Sequence, residues 1–564
     1  MKRAHLLLAT LAIAGSSFVG CADENDPKTW VKRLDDPAQR APAVKRLGQF
    51  FEDAMTKNNK NRDSDEVKAV LDTIVEPMSQ QYTKGGLDDK TRKELIKELA
   101  DMRDPRTQPA LAKAFQDYEA GKSDEDVRYA AQAAKGLAEA GKYTDQTAID
   151  ALWSCFAKFS PTKSKSINTT TDLHDAILAV KHPSYAQKAT DKLKDKVVLD
   201  DQPVNDQLDF WQMTSVQIIK ELNYKPAAKA LVTVLVTKEK LKLANVAKAA
   251  LMKMPKEAVP QLVSALGGEG DFGTAEASYG AEKGWLVPVI DVLSYISTPD
   301  AKKAVLGAVA AADNDDNRRA FALYMVQFPT DATTTDAFKA TFAKLPPIAS
   351  KPEAVTGKER LSLLALADKF YDPTMVPWML KEAAAAKGDL ILTAQVNAIA
   401  AAIKIMQPDQ KKLVEDAIKI LDGQKMSGNE KTDVDNAVHK PFAMATALVD
   451  QCNKDASCYV KVLDEQIPAT PGGNAKAVKA AAMAATLGND ATRGDLVAKI
   501  NKVTNPGARL AVVEAIDHLA PTGDVKAAEA LEKIVEAEKS SKELAAANDA
   551  LYKVALRLRA RAGQ

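Results

Sequence analysis

The stretch "LDDPAQRAPAVKRLG", Leu34–Gly48, decides the fold: an acidic turn closed by Pro37, then a run whose apolar residues return at three- and four-residue steps. Proline suits the first helical position because its missing N–H is unused there. The phrase comes back as "MRDPRTQPALAKAF" at Met102–Phe115 and "SDEDVRYAAQAAKGLAEAG" at Ser123–Gly141. It comes back again as "STPDAKKAVLGAVAAAD" at Ser297–Asp313 and "YDPTMVPWMLKEA" at Tyr371–Ala383. A helical unit that recurs every few tens of residues cannot bury its apolar face alone, so neighbours must stack.

Helix faces agree with stacking. Val127, Ala130, Ala134 and Leu137 form one apolar stripe, and Leu510, Val513, Ile516 and Leu519 form another. In "LILTAQVNAIAAAIKIM", Leu390–Met406, apolar residues occupy both sides, as a helix inside a stack requires. With 564 residues the chain exceeds the size at which one compact core stops growing, about 250–300 residues. The spacing predicts an all-α, right-handed solenoid of about twelve helix pairs. It divides into repeats over 27–266, a Gly-rich insertion at Gly267–Gly284, and repeats over 285–564. The polar stretch Ser160–Thr171 has no apolar period and reads as a loop.

An Asp-Pro turn, a basic residue soon after, and an Ala-rich second helix ending in Leu-Gly resemble HEAT repeats. Asp36, Pro37, Arg40, Ala43, Leu47 and Gly48 fit that pattern, and so do Asp126, Val127, Arg128, Ala131, Ala134 and Leu137. The resemblance covers most of residues 27–562 and is degenerate where Pro299 lacks a following Arg. It implies a curved superhelix whose surface binds protein segments.

The first residues read as an address. Lys2 and Arg3 precede the apolar Leu6–Ala14, far shorter than a span of a bilayer about 30 Å thick, and small residues follow. The ending Phe18-Val19-Gly20-Cys21 resembles the lipobox of bacterial lipoproteins, with Phe18 where Leu is usual. The resemblance implies a signal peptide over 1–20, lipidation of Cys21, and a short tether over 21–26. Ala22 lacks the Asp that retains such proteins at the inner membrane, which points to the periplasmic face of the outer membrane.

Charge is balanced, with 77 Lys and Arg against 76 Asp and Glu, which argues against nucleic acid as a partner. Of four cysteines, Cys452 and Cys458 join two helical patterns at a spacing that suits a local disulfide outside the cytosol. Cys155 lies on an apolar stripe with Trp153 and Phe156 and reads as a buried thiol. Five histidines are scattered, and no HExxH, CxxC, GxSxG, SxxK or phosphate-binding loop is present. No enzyme, metal site or cofactor is expected. "DNDDN", Asp313–Asn317, starts like a calcium loop, but Arg318 stands where Gly is needed and Tyr324 where Glu is needed, so it reads as a helix cap. Within the insertion, Phe272 and Tyr279 are the candidate partner-contacting residues, because a long loop inside a helix pair is often functional. Two roles follow: an envelope scaffold for other envelope proteins, held at the membrane by its N-terminal lipid, or a periplasmic receptor that takes a peptide or small ligand near Gly267–Gly284.

Overall fold

In the computed structural model, residues 23–164, 167–196, 207–269, 272, 286–348, 358–463, 471–503 and 505–564 are described. Cys21 and Tyr279 lie outside them. The turns show why the repeated phrase makes helices. Asp36 Oδ1 accepts the Ala38 N–H at 3.0 Å, and Arg40 Nε donates to Leu34 O at 2.7 Å, so one turn supplies both a cap and a latch. In the next occurrence Asp104 accepts the Arg106 N–H at 3.0 Å and grips the Arg106 guanidinium through both oxygens, at 2.8 and 2.7 Å. Asn505 does the same capping ahead of Pro506, taking the N–H groups of Gly507 and Ala508 at 3.0 and 3.1 Å.

The chain folds as two compact units, 1–222 and 223–564, so the division falls ahead of the Gly-rich insertion. The first unit holds α1 (Pro27–Arg33), α2 (Arg40–Lys57), α3 (Asp65–Lys84), α4 (Asp89–Met102) and α5 (Gln108–Gln116). It continues with α6 (Asp124–Glu139), α7 (Gln146–Lys158), α8 (Ile167–Val180), α9 (Tyr185–Lys192) and α10 (Met213–Leu222). From α1 to α6 every helix packs on the next but one, and α8 packs on α10. That is how the helices of a solenoid pack. No strand occurs among the described residues.

Small residues set the spacing in this unit. Gly48 leaves room for Glu98 of α4: a Cβ there would lie 2.1 Å from Glu98 Oε2. Asp126, buried at the start of α6, accepts from Arg92 Nε at 2.5 Å and Tyr82 OH at 3.2 Å, tying three helices together. Cys155 is buried, and burial pushes its thiol pKa up, so it is inert. The loop expected over Ser160–Thr171 ends earlier. Helix α8 begins at Ile167, which is 82% exposed, while buried Thr169 donates to Asp124 O at 3.2 Å. A first turn anchored by a threonine hydroxyl carries no apolar period to read.

The same packing exposes a testable cost. Glu98 is 6% exposed, and burial raises its carboxyl to about 7, with Lys97 at 3.5 Å only partly offsetting the effect. Its folded pKa lies above the unfolded value of about 4.3. Its contribution to stability is therefore complete below that value and is lost as pH rises through about 7. Glu98→Gln is expected to stabilise α2 and α4 by about 2 kcal/mol at pH 8 and by nothing at pH 4.5. Hydrogen exchange of those helices at the two pH values checks it.

The second unit opens with α11 (Ala228–Leu235), α12 (Ala244–Leu251), α13 (Pro255–Leu266), α14 (Leu286–Ile296), α15 (Pro299–Ala311), α16 (Asp315–Met325) and α17 (Ala332–Lys344). Next come α18 (Lys358–Leu364), α19 (Met375–Ala384), α20 (Ile391–Ile405), α21 (Lys411–Asp422), α22 (Gly428–Val434) and α23 (Lys440–Cys452). The unit ends with α24 (Ala456–Val462), α25 (Pro471–Leu487), α26 (Asp490–Lys499), α27 (Pro506–His518), α28 (Val525–Ala537) and α29 (Ala545–Arg561). Next-but-one packing runs through most of it, and α20 also packs directly on α23 and α25. Lys479 of α25, 1% exposed, donates to Met406 O at 2.7 Å across that contact, and burial holds its amine well below the usual lysine range. Helix α20, with the turn Gly388–Leu390, is apolar and long enough to match a membrane span by composition. Here Ala394, Ala398, Ile399, Ala402 and Ile405 bury it within the stack.

The second unit does not stay open. Its last helix α29 returns to pack on α14. Arg561 reaches Ser297 Oγ at 3.2 Å across 264 residues, and Arg557 reaches Gln327 Oε1 at 3.4 Å across 230. Lys369 pairs with Glu514 on the way. The second unit thus curls back onto its own early helices, which a repeat pattern alone does not specify. Cys452 and Cys458 are joined at the α23–α24 corner, with Cα atoms 5.3 Å apart. Asn314 caps α16, accepting the Asn317 N–H at 2.8 Å, while Asp315 pairs with Arg318 at 2.7 Å, so the acidic run starts a helix.

Candidate binding groove

Of the two expected contact residues, Phe272 alone lies among the described residues. Phe272 is 3% exposed and its N–H bonds to Glu269 O at 3.1 Å, a correction to its expected place on a partner-facing loop. An apolar ring beside an array finds a core, and burial outweighs display. Trp378 and Met379 also face inward. Met379 is fully buried, and Trp378 packs on Phe338 and Phe342 with ring centres 5.9 and 5.0 Å away.

An apolar surface groove lies instead between α19 and α21, floored by α20, with a volume of about 260 Å³. One wall presents Pro377, Leu380 and Ala384; the other presents Leu413, Ala417 and Ile420; the floor is Gln395 and Ile399. Both walls therefore repeat at the i, i+3 or i+4, i+7 spacing of a helix. Helix α21 makes this possible because it is apolar on two faces. Val414, Ile418 and Leu421 are buried inward, while Leu413 is 42% and Ile420 57% exposed. These are two of the few large apolar side chains left exposed among the described residues. Exposed apolar residues in a row mark interaction sites more often than scattered ones do.

Charge frames the groove. Asp416 on its rim is tied to Lys412 at 2.6 Å, and the lysines hold its carboxyl below the usual range. Lys381 lines the opposite wall with no partner among the described residues. The geometry suits an apolar-faced helix that carries an acidic residue at its edge.

A second opening lies where the last helix returns. It has a volume of about 320 Å³ and is lined by α14, the turn after α16, residues near Tyr371, α27 and α29. His518, on no motif, faces it; burial holds its imidazole at about 4, so the ring is neutral. The other described histidines are partnered: His174 with Gln217 at 2.9 Å, His182 with Ser184 at 2.8 Å and His439 with Asp422 at 3.1 Å. Neither opening was marked in the sequence, since Leu413 and Ile420 sit in the same pattern as core residues and the lining of the second opening comes from distant segments.

No family profile matches the chain, and no curated protein matches it. Among solved structures it is similar to Kap121p, with a TM-score of 0.31 and 11% identity over 94% of this chain and 69% of that one. It is also similar to importin beta, with a TM-score of 0.30 and 10% identity over 94% of this chain and 84% of that one. The UNC-45 chaperone, described as binding and folding muscle myosin, is similar with a TM-score of 0.28 and 11% identity, over 94% of this chain and 78% of that one.

Proposed function

We propose that this protein is a protein-binding scaffold of the bacterial cell envelope, anchored through lipidated Cys21, that docks an amphipathic helix of another envelope protein in the α19–α21 groove. The observation that carries the reading is the row Leu413, Ala417 and Ile420, exposed at its two ends, facing Pro377, Leu380 and Ala384 over a floor of Ile399 and Gln395. The envelope location rests on the lipobox-like ending at Cys21. Burying Leu413 and Ile420 under a partner contributes about 2–3 kcal/mol, enough for a weak contact but not for a tight one. The anchor compensates by confining both proteins to one membrane, which raises their effective concentration without new contacts.

Both anchors are exposed, so Leu413→Asp and Ile420→Asp should leave the unfolding temperature nearly unchanged. Recovery of the partner crosslinked in cells to the tagged protein is expected to fall at least tenfold. Undiminished recovery with both substitutions combined would rule out the groove as the contact.

A further inference from the structure

The opening inside the curled second unit has a chemistry of its own. At one end Tyr295 is surrounded by cations. Lys248 Nζ lies 3.3 Å from its ring centre, and Lys553 and Arg557 line the same opening. Each cation has an acid at its back: Lys248 with Asp291 at 2.6 Å, Lys553 with Asp549 at 2.6 Å and Arg557 with Asp517 at 2.9 Å. The Tyr295 hydroxyl has no hydrogen-bond partner among the described residues. From another element comes Glu514. Its Oε2 takes both Lys369 and the Tyr371 hydroxyl, the latter at 3.2 Å, while its Oε1 takes no bond among the described residues. His518 meets Tyr371 edge-to-face with ring centres 4.9 Å apart, and its ring nitrogens also lack partners among the described residues. Leu366, Leu510 and Val513 supply an apolar wall.

We infer that this opening binds a small zwitterion, a free amino acid or dipeptide with an apolar side chain, its carboxylate at Lys553 and the Tyr295 hydroxyl and its ammonium at Glu514 Oε1. Paired charges on the walls disfavour a ligand of large net charge, because it would leave one sign uncompensated in a partly desolvated site. A ligand with one charge of each sign meets the unused Tyr295 hydroxyl on one helix and the unused Glu514 Oε1 on another. A volume of about 320 Å³ is at the small end of ligand sites, which suits this class. This site is separate from the α19–α21 groove and does not depend on it.

Calorimetric titration of the full chain with L-leucine and with L-leucyl-L-leucine tests it, alongside N-acetyl and C-amide derivatives of each. One of the two free ligands is expected to bind at one site per chain. Blocking either of its ends should weaken it at least tenfold, as loss of a charged hydrogen bond does. Tyr295→Phe removes one unpartnered hydroxyl and should weaken the free ligand tenfold without affecting the fold. Glu514→Gln should do the same for the ammonium end. Absence of binding by both free ligands, equal affinity of free and blocked forms, or unchanged affinity in both variants would overturn the assignment.

Discussion

Gly523→Ala is expected to destabilise the second unit by about 4 kcal/mol or more. Gly523 has a φ of +80°, where an L side chain costs about 1–2 kcal/mol. A Cβ there would also lie 2.3 Å from Leu558 O and 2.4 Å from Ala562 N. Those are backbone atoms of the returning helix and its end, and they cannot swing aside as a side chain would. The methyl would push α29 off the array. Gly141 is the control. Its φ is +68°, but nothing lies within 4 Å of a Cβ, so Gly141→Ala should cost only the conformational term, about 1 kcal/mol. Thermal unfolding of both variants separates close approach from backbone preference. Equal costs would mean that α29 is not seated where the structure puts it.

Arg561→Met is expected to cost about 3 kcal/mol, the size of a broken buried charge network. The Arg561 side chain has no exposed surface, and burial lowers its pKa to about 10. It donates to Asp517 O at 2.8 Å, Ala520 O at 3.0 Å and Ser297 Oγ at 3.2 Å, and pairs with Asp517 Oδ1 at 3.1 Å. Methionine fills similar volume but leaves two carbonyls without donors and leaves Asp517 to Arg557 alone. Arg561→Lys should not restore the loss, because one ammonium cannot span a fork of carbonyl, hydroxyl and carboxylate. Hydrogen exchange should rise at both α14 and α29 in the methionine variant. A rise confined to α29 would show a frayed end, not an opened closure.

Both effects concern contacts that no local pattern announces. The helices were legible because their causes are local. Asp36-Pro37 and Asp104-Pro105 cap the next helix through their own carboxylates, and apolar residues at three- and four-residue steps mark the buried face. The cysteine pair was legible for the same reason, since it spans a single corner. The return of α29 was not, because Arg561 and Ser297 are 264 residues apart and each reads alone as an ordinary polar residue. The HEAT-like pattern supplies the stack but not its curvature, which accumulates from small rotations at each interface.

The candidate groove was illegible for a different reason. In α21 the sequence "KKLVEDAIKILD" carries apolar residues on two faces, and periodicity cannot tell which face meets the core. The neighbouring helices decide it: Val414, Ile418 and Leu421 are covered, and Leu413 and Ile420 are left facing outward. Phe272 differs in the opposite direction. An aromatic residue in a long loop reads as displayed, yet Phe272 is buried. Composition does not reveal where that aromatic side chain goes.

The most direct test of the binding account is site-specific photocrosslinking in intact cells, with the reactive group placed in turn at Leu413, Ile420 and Ile167. Ile167 is the most exposed large apolar residue described, 82% exposed, and lines neither of the two openings described above. The account predicts the same protein adduct from positions 413 and 420, none from 167, and loss of the adduct at 420 when Ala384→Asp is added at the exposed edge of the facing wall. Adducts of equal yield from all three positions, or none from the two groove positions, would contradict it.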